Sequence, residues 1–147
     1  MGPCGAQRFQ TVTSNLNVTN GRCAKCHKLF GEGGTTAPEL TGAQRTNLAY
    51  LLENIVDPSA TISKNYQMSI ILLDDGRVLN GVVVDPTDRT ITLHTPTETL
   101  VIDRESIEEQ RETNLSLMPE GQLDRLSADD IRDLIAYLMS PSQVQLP

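Results

Sequence analysis

The hydrophobic period of this chain changes twice along its length, and those changes constrain the fold more than any other feature. Leu48, Leu51, Leu52 and Ile55 fall at i, i+3, i+4 and i+7, the spacing of an amphipathic helix over 46–56 that Asp57-Pro58 ends. From residue 66 the period drops to two. Met68, Ile70 and Leu72 alternate with Ser69, Ile71 and Leu73, Asp75-Gly76 signals a hairpin, and Val78 to Val84 returns with Gly81 inside it. After a turn at Asp85-Pro86-Thr87-Asp88, Thr90 to His94 and Thr99 to Ile102 supply a third and fourth strand, so residues 66–103 read as an antiparallel meander. Helical character resumes near Glu105, and residues 113–121 read as a loop around Leu117-Met118-Pro119. The last helix starts at Ser127, with Asp130 placed for a capping box, and Ile131, Leu134, Ile135 and Leu138 form its stripe before Ser140-Pro141 ends it. Upstream, residues 5–30 read as a helix weakened at Asn15, Asn17 and Asn20-Gly21, followed by a Gly/Thr-rich loop over 31–46. The expectation is one domain over 1–147, mainly α, with a β insertion at about 66–103.

Cys23-Ala24-Lys25-Cys26-His27 carries the chemistry. CxxCH is the attachment signature of c-type haem: two thiols form thioethers to the porphyrin, and the next residue ligates the iron. Half a zinc site is one other use of a CxxC, but only Cys4 and His94 remain as further Cys or His, and zinc needs four ligands. A thioredoxin-like dithiol is another, and it wants a βαβ context that the chain does not show. Aromatic residues are scarce, with two Phe, three Tyr and no Trp, so a buried porphyrin would be valuable as core filler.

The net charge of −7 argues against nucleic acid as a partner and favours steering toward a basic redox partner. No run approaches the roughly 18 apolar residues of a membrane helix. No charged and then apolar leader opens the chain, although covalent haem is normally attached after export. The expectation is a periplasmic or otherwise exported domain, excised from a longer protein or mature with an added Met1. Cys4 is left over as a free thiol or the seat of an intermolecular disulfide, and either Cys4 or the β insertion offers a homodimer contact.

An electron-transfer haem takes a second axial ligand, for which Met68, Met118, Met139, His94 and Met1 are the candidates. Met139 continues a packing stripe, Met68 lies on a strand face, and His94 sits on a strand beside a turn. Met118 stands in a loop outside any stripe, braced by Pro119, and is the preferred ligand. The His27 imidazole also needs an acceptor for its second nitrogen. The carbonyl of Pro38, eleven residues on, is placed to serve, a plain turn proline being the other reading.

In this order, the CxxCH motif, the Ala37-Pro38-Glu39-Leu40 loop, Met118-Pro119 and Leu134-Ile135-Ala136-Tyr137-Leu138 resemble class I cytochromes c. The chain is still more similar to the haem-binding domain of planctomycete and verrucomicrobial type. The residues carrying that likeness are Gly31 to Gly34, Ile55 to Ser59, the Asp-Gly hairpin and Ser116 to Gly121. The resemblance implies a cytochrome c-like helical fold around one covalent haem, with His27 and Met118 as axial ligands and Pro38 as acceptor for His27. It also implies packing of the Gly5/Phe9 helix against Tyr137. The function it implies is electron transfer, not enzymatic turnover, with a redox partner or a fused dehydrogenase domain. A five-coordinate haem that binds a gas or peroxide, as sensor or enzyme, is the alternative, as is an interaction module working through the β insertion.

Overall fold

The structure is a computed structural model describing residues 23–142, which divide into two compact units. Residues 57–120 form one; the flanking segments, 23–56 and 121–142, form the other. No helix among the described residues is long and apolar enough to cross a membrane.

In the flanking unit, strands β1 (Lys28–Leu29) and β2 (Glu32–Gly33) make a small antiparallel hairpin. Its two-residue turn has φ of 51° at Phe30 and 87° at Gly31, both left-handed, as the twist of a tight hairpin requires. The helix expected over 5–30 therefore does not extend through residues 28–30. Helix α1 (Leu48–Val56) starts where the Asn47 side-chain oxygen accepts from the Tyr50 N–H at 3.2 Å. Helix α2 (Ala128–Met139) starts at a complete Ser127/Asp130 capping box. Leu29, Leu51, Leu134 and Leu138 form the buried core, flanked by Phe30, Leu40, Ile55, Leu123, Leu126, Tyr137 and Met139. Four buried aliphatic side chains at about 1.5–3 kcal/mol each make a small core. Leu51 is the one buried residue of α1, while Leu48, Tyr50 and Val56 stay exposed.

The other unit is a meander of β3 (Gln67–Leu73), β4 (Val78–Val84), β5 (Thr90–His94), β6 (Thr99–Asp103) and β7 (Ile107–Ser116), in the order β6-β5-β4-β3-β7. Strands β6 and β7 lie at opposite edges, yet only the 3₁₀ turn Arg104–Ser106 joins them. Four strand spacings would hold flat edges roughly 19 Å apart, whereas four peptide steps reach at most about 14 Å. The sheet is therefore curled. The 3₁₀ turn closes its end: Asp74 N–H donates to the Ser106 carbonyl at 2.9 Å, and Arg104 N–H donates to the Arg89 carbonyl at 2.8 Å.

The bend lies within β4. Its Val78–Gly81 half pairs with β3, and its Val82–Val84 half pairs with β5. The change of partner falls at Gly81, where a Cβ would lie 2.6 Å from the His94 carbonyl oxygen and 2.7 Å from the Leu93 side chain. A glycine at a strand corner lets the two backbones approach. Ile71 and Leu73 of β3, Ile91 and Leu93 of β5 and Ile102 of β6 make the buried core, with Leu79, Val83, Leu100 and Ile107 against it. On β3 the buried set is Ser69, Ile71 and Leu73, while Met68, Ile70 and Leu72 are half-buried on the opposite face.

These elements overturn the expected mainly α, cytochrome c-like helical fold. Strand occupies 32% of the described residues against two α-helices, and the largest element is a five-stranded antiparallel sheet. The helix expected near Glu105 and the loop expected from 113 are instead the 3₁₀ turn and the ten-residue strand β7. Glu, Gln and Arg favour helix by only a few tenths of a kcal/mol per residue. The ladder offered by β3, from Gln67↔Ser116 to Leu73↔Ile107, outweighs that preference. Charged Glu108, Glu109, Arg111 and Glu112 suit an edge strand, where charge discourages unwanted pairing.

Candidate functional site

Cys23, Cys26 and His27 share one helical turn, in which the Cys23 carbonyl accepts from the N–H of Cys26 at 3.2 Å and of His27 at 2.9 Å. Both cysteines are half-buried. The chain that follows doubles back and clasps this turn in register. Gly34 N–H donates to the Ala24 carbonyl at 2.8 Å, Ala37 N–H to the Cys26 carbonyl at 3.0 Å and Leu40 N–H to the Lys28 carbonyl at 2.8 Å.

Between these bonds, His27 Nδ1 lies 2.8 Å from the Pro38 carbonyl oxygen. A carbonyl only accepts, so Nδ1 is the donor here, and in the neutral ring that leaves the lone pair on Nε2. The ring is thus held in one tautomer, with its outer nitrogen available to a metal. The approach is close enough that only glycine fits along the clasp. A Cβ at Gly33 would overlap the His27 carbonyl oxygen, and one at Gly34 would overlap the Lys25 carbonyl oxygen.

Phe30 turns the hairpin in a left-handed conformation that costs a bulky residue about 1–2 kcal/mol. Two contacts hold it there. Its N–H donates to Thr41 Oγ1 at 2.8 Å, and its ring lies under the Arg45 guanidinium, 4.8 Å from the ring centroid. Arg45 Nη1 also donates to the carbonyls of Leu138 and Ser140, both at 2.7 Å, and Nε and Nη2 reach the Thr41 carbonyl at 3.3 Å. Arg45 thus satisfies the C-terminal carbonyls of α2 while gripping the loop that carries Pro38.

The structure brings Cys23, Cys26, His27 and Pro38 together in the flanking unit. Met118 belongs to the β unit, two residues past the end of β7, half-buried and with its N–H donating to Ser116 Oγ at 3.1 Å. Met68 is half-buried on β3, and its carbonyl accepts from Thr113 Oγ1 at 2.8 Å. Met139 ends α2 and packs on the flanking unit's core. His94 ends β5, with Nδ1 buried and without a hydrogen-bond partner. Met1, Cys4, Gly5 and Phe9 lie outside the described residues. Among the described residues, no group of three or more His, Cys, Asp and Glu side chains is gathered to hold a metal ion.

Phe30, Gly33, Gly34, Thr41 and Arg45 did not stand out as site residues in the sequence. The doubled Gly33-Gly34 after CxxCH is a local signal of close backbone approach. Arg45 left no such signal, because its partners at 138 and 140 are distant in the chain. The chain matches no protein-family model, and no curated protein matches it.

Proposed function

We propose that this chain is a one-electron carrier domain with one covalently attached c-type haem. Cys23 and Cys26 supply the thioether bonds, and His27 supplies Nε2 as the proximal ligand. The observation that carries this reading is the His27 Nδ1–H bond to the Pro38 carbonyl, on the same turn as Cys23 and Cys26. Haem held in this way supplies an iron couple whose potential the protein sets through ligand, burial and hydrogen bonding. The bond to Pro38 orients the imidazole. The Gly33-Gly34 clasp would hold the turn, and with it the imidazole, in place. Met118 is the proposed second axial ligand, in a loop braced by Pro119.

The test is expression in an exported compartment together with c-type haem maturation, followed by absorption spectra of the oxidised and reduced protein. Expected are covalent haem in the parent, its loss in the Cys23→Ala/Cys26→Ala double variant, and a Met–iron charge-transfer band that Met118→Ala abolishes. A parent chain without covalent haem overturns the reading. A parent that is high-spin, or a spectrum unchanged in Met118→Ala, overturns the ligand assignment. Its proposed partner is a basic redox protein or a fused dehydrogenase domain. An interaction role working through the β unit can coexist with electron transfer.

A further inference from the structure

We infer that Arg45 is a positioning residue for His27, acting through the loop that carries Pro38 and coupling ligand orientation to the end of the terminal helix. The inference rests on the reading of His27 as a ligand, but its first test does not.

The argument follows one continuous set of contacts within the flanking unit. The guanidinium spends one nitrogen on the last carbonyls of α2, at Leu138 and Ser140. The other two nitrogens reach back to the Thr41 carbonyl. Thr41 follows Pro38 by three residues, and its hydroxyl accepts from Phe30 N–H, three residues beyond His27. The face of the same guanidinium covers the Phe30 ring. Arg45 therefore touches both strands of the loop whose closure is the His27–Pro38 bond. Its contacts are directional: three carbonyls and an aromatic face are met at once by a planar fork, which a lysine ammonium cannot reproduce. Phe30 is the stressed point, a bulky left-handed residue directly after the ligand segment. When the fork is removed, Phe30 can relax and the Pro38 carbonyl is no longer held against Nδ1.

The first readout is the His27 tautomer, from imidazole ¹⁵N shifts in the protein without haem. The parent is expected to be almost wholly the Nδ1–H form. Arg45→Gln should shift the ratio at least fivefold toward Nε2–H, with Arg45→Lys close to Arg45→Gln because charge alone does not substitute for the fork. Phe30→Leu, which keeps the carbonyl bonds, should shift it by less. Thr41→Val, which removes only the hydroxyl, is a milder second probe if Arg45→Gln lowers the yield of folded protein, and it should move the ratio in the same direction. An unchanged ratio in Arg45→Gln and Thr41→Val, or full rescue by lysine, overturns the inference. The second readout is the midpoint potential of the haem-loaded protein, which should differ between parent and Arg45→Lys. Loss of covalent haem in the parent with the tautomer shift intact would sink the haem reading and leave the Arg45 coupling standing. An unchanged tautomer ratio with haem attached would do the reverse.

Discussion

The two units of this chain are held together by different physics. Residues 57–120 carry twelve acidic and five basic side chains, a formal −7, whereas the rest of the sequence carries seven of each. The entire net charge thus sits on the unit that lacks the CxxCH motif. Cohesion differs as well. The β unit is built on apolar burial, with Ile71, Ile91 and Leu93 fully buried. The flanking unit has a small core, and its CxxCH turn is clasped by backbone hydrogen bonds and by Arg45. The unit with the CxxCH turn relies on the clasp, and the acidic unit relies on its core.

Substitutions aimed at one unit test this division. The largest effect is expected from Gly81→Val, which forces side-chain atoms into the His94 backbone and Leu93 and should cost on the order of 3 kcal/mol or more. Chemical denaturation should show the β unit destabilised while haem attachment, scored by absorbance, persists. Ile91→Ala at a fully buried position should cost about 2–5 kcal/mol in the same assay. Gly34→Ala presses on the Lys25 carbonyl and should do the opposite: attachment yield falls severalfold while the β unit's denaturation midpoint holds. If Gly34→Ala melts both units equally, the division fails. Ser127→Ala removes the cap of α2 and should lower the stability of the flanking unit by about 1 kcal/mol.

The smallest effect concerns Asp75. The Arg77 backbone N–H, then its side chain, hold this exposed carboxyl below the usual carboxylate range. The folded value lies below the unfolded one, so its contribution is present above the ordinary carboxylate pKa, about 4, and is lost as pH falls through the lowered value. Denaturation midpoints measured from pH 6 down to pH 3 should fall slightly, and Asp75→Asn should remove that part of the slope.

Much of this structure is legible in the residues. Asp75-Gly76 specifies the β3–β4 hairpin, Ser127 with Asp130 specifies the start of α2, and the stripe at Leu51 and Ile55 specifies α1. Strand β7 was hidden because Glu108 to Glu112 have helical propensities, and their strand character comes from pairing with β3 forty residues away. On the buried face of β3, alternation alone could not decide between Met68, Ile70, Leu72 and Ser69, Ile71, Leu73, since both sets are largely apolar. Among the site residues, CxxCH and Pro38 are local and readable, whereas Arg45 depends on partners more than ninety residues on.

The pairing of Gln67 with Ser116, reinforced by the Ser116 N–H bond to Ser59 Oγ at 3.1 Å, sets the first and last strands of the β unit side by side. The chain therefore enters and leaves that unit at nearly one point. To its host such a segment is topologically a short loop, however many residues it contains, because the entropy of closing it has been met by its own folding. A unit of this form can be gained, lost or exchanged during evolution without redrawing the path of the chain on either side.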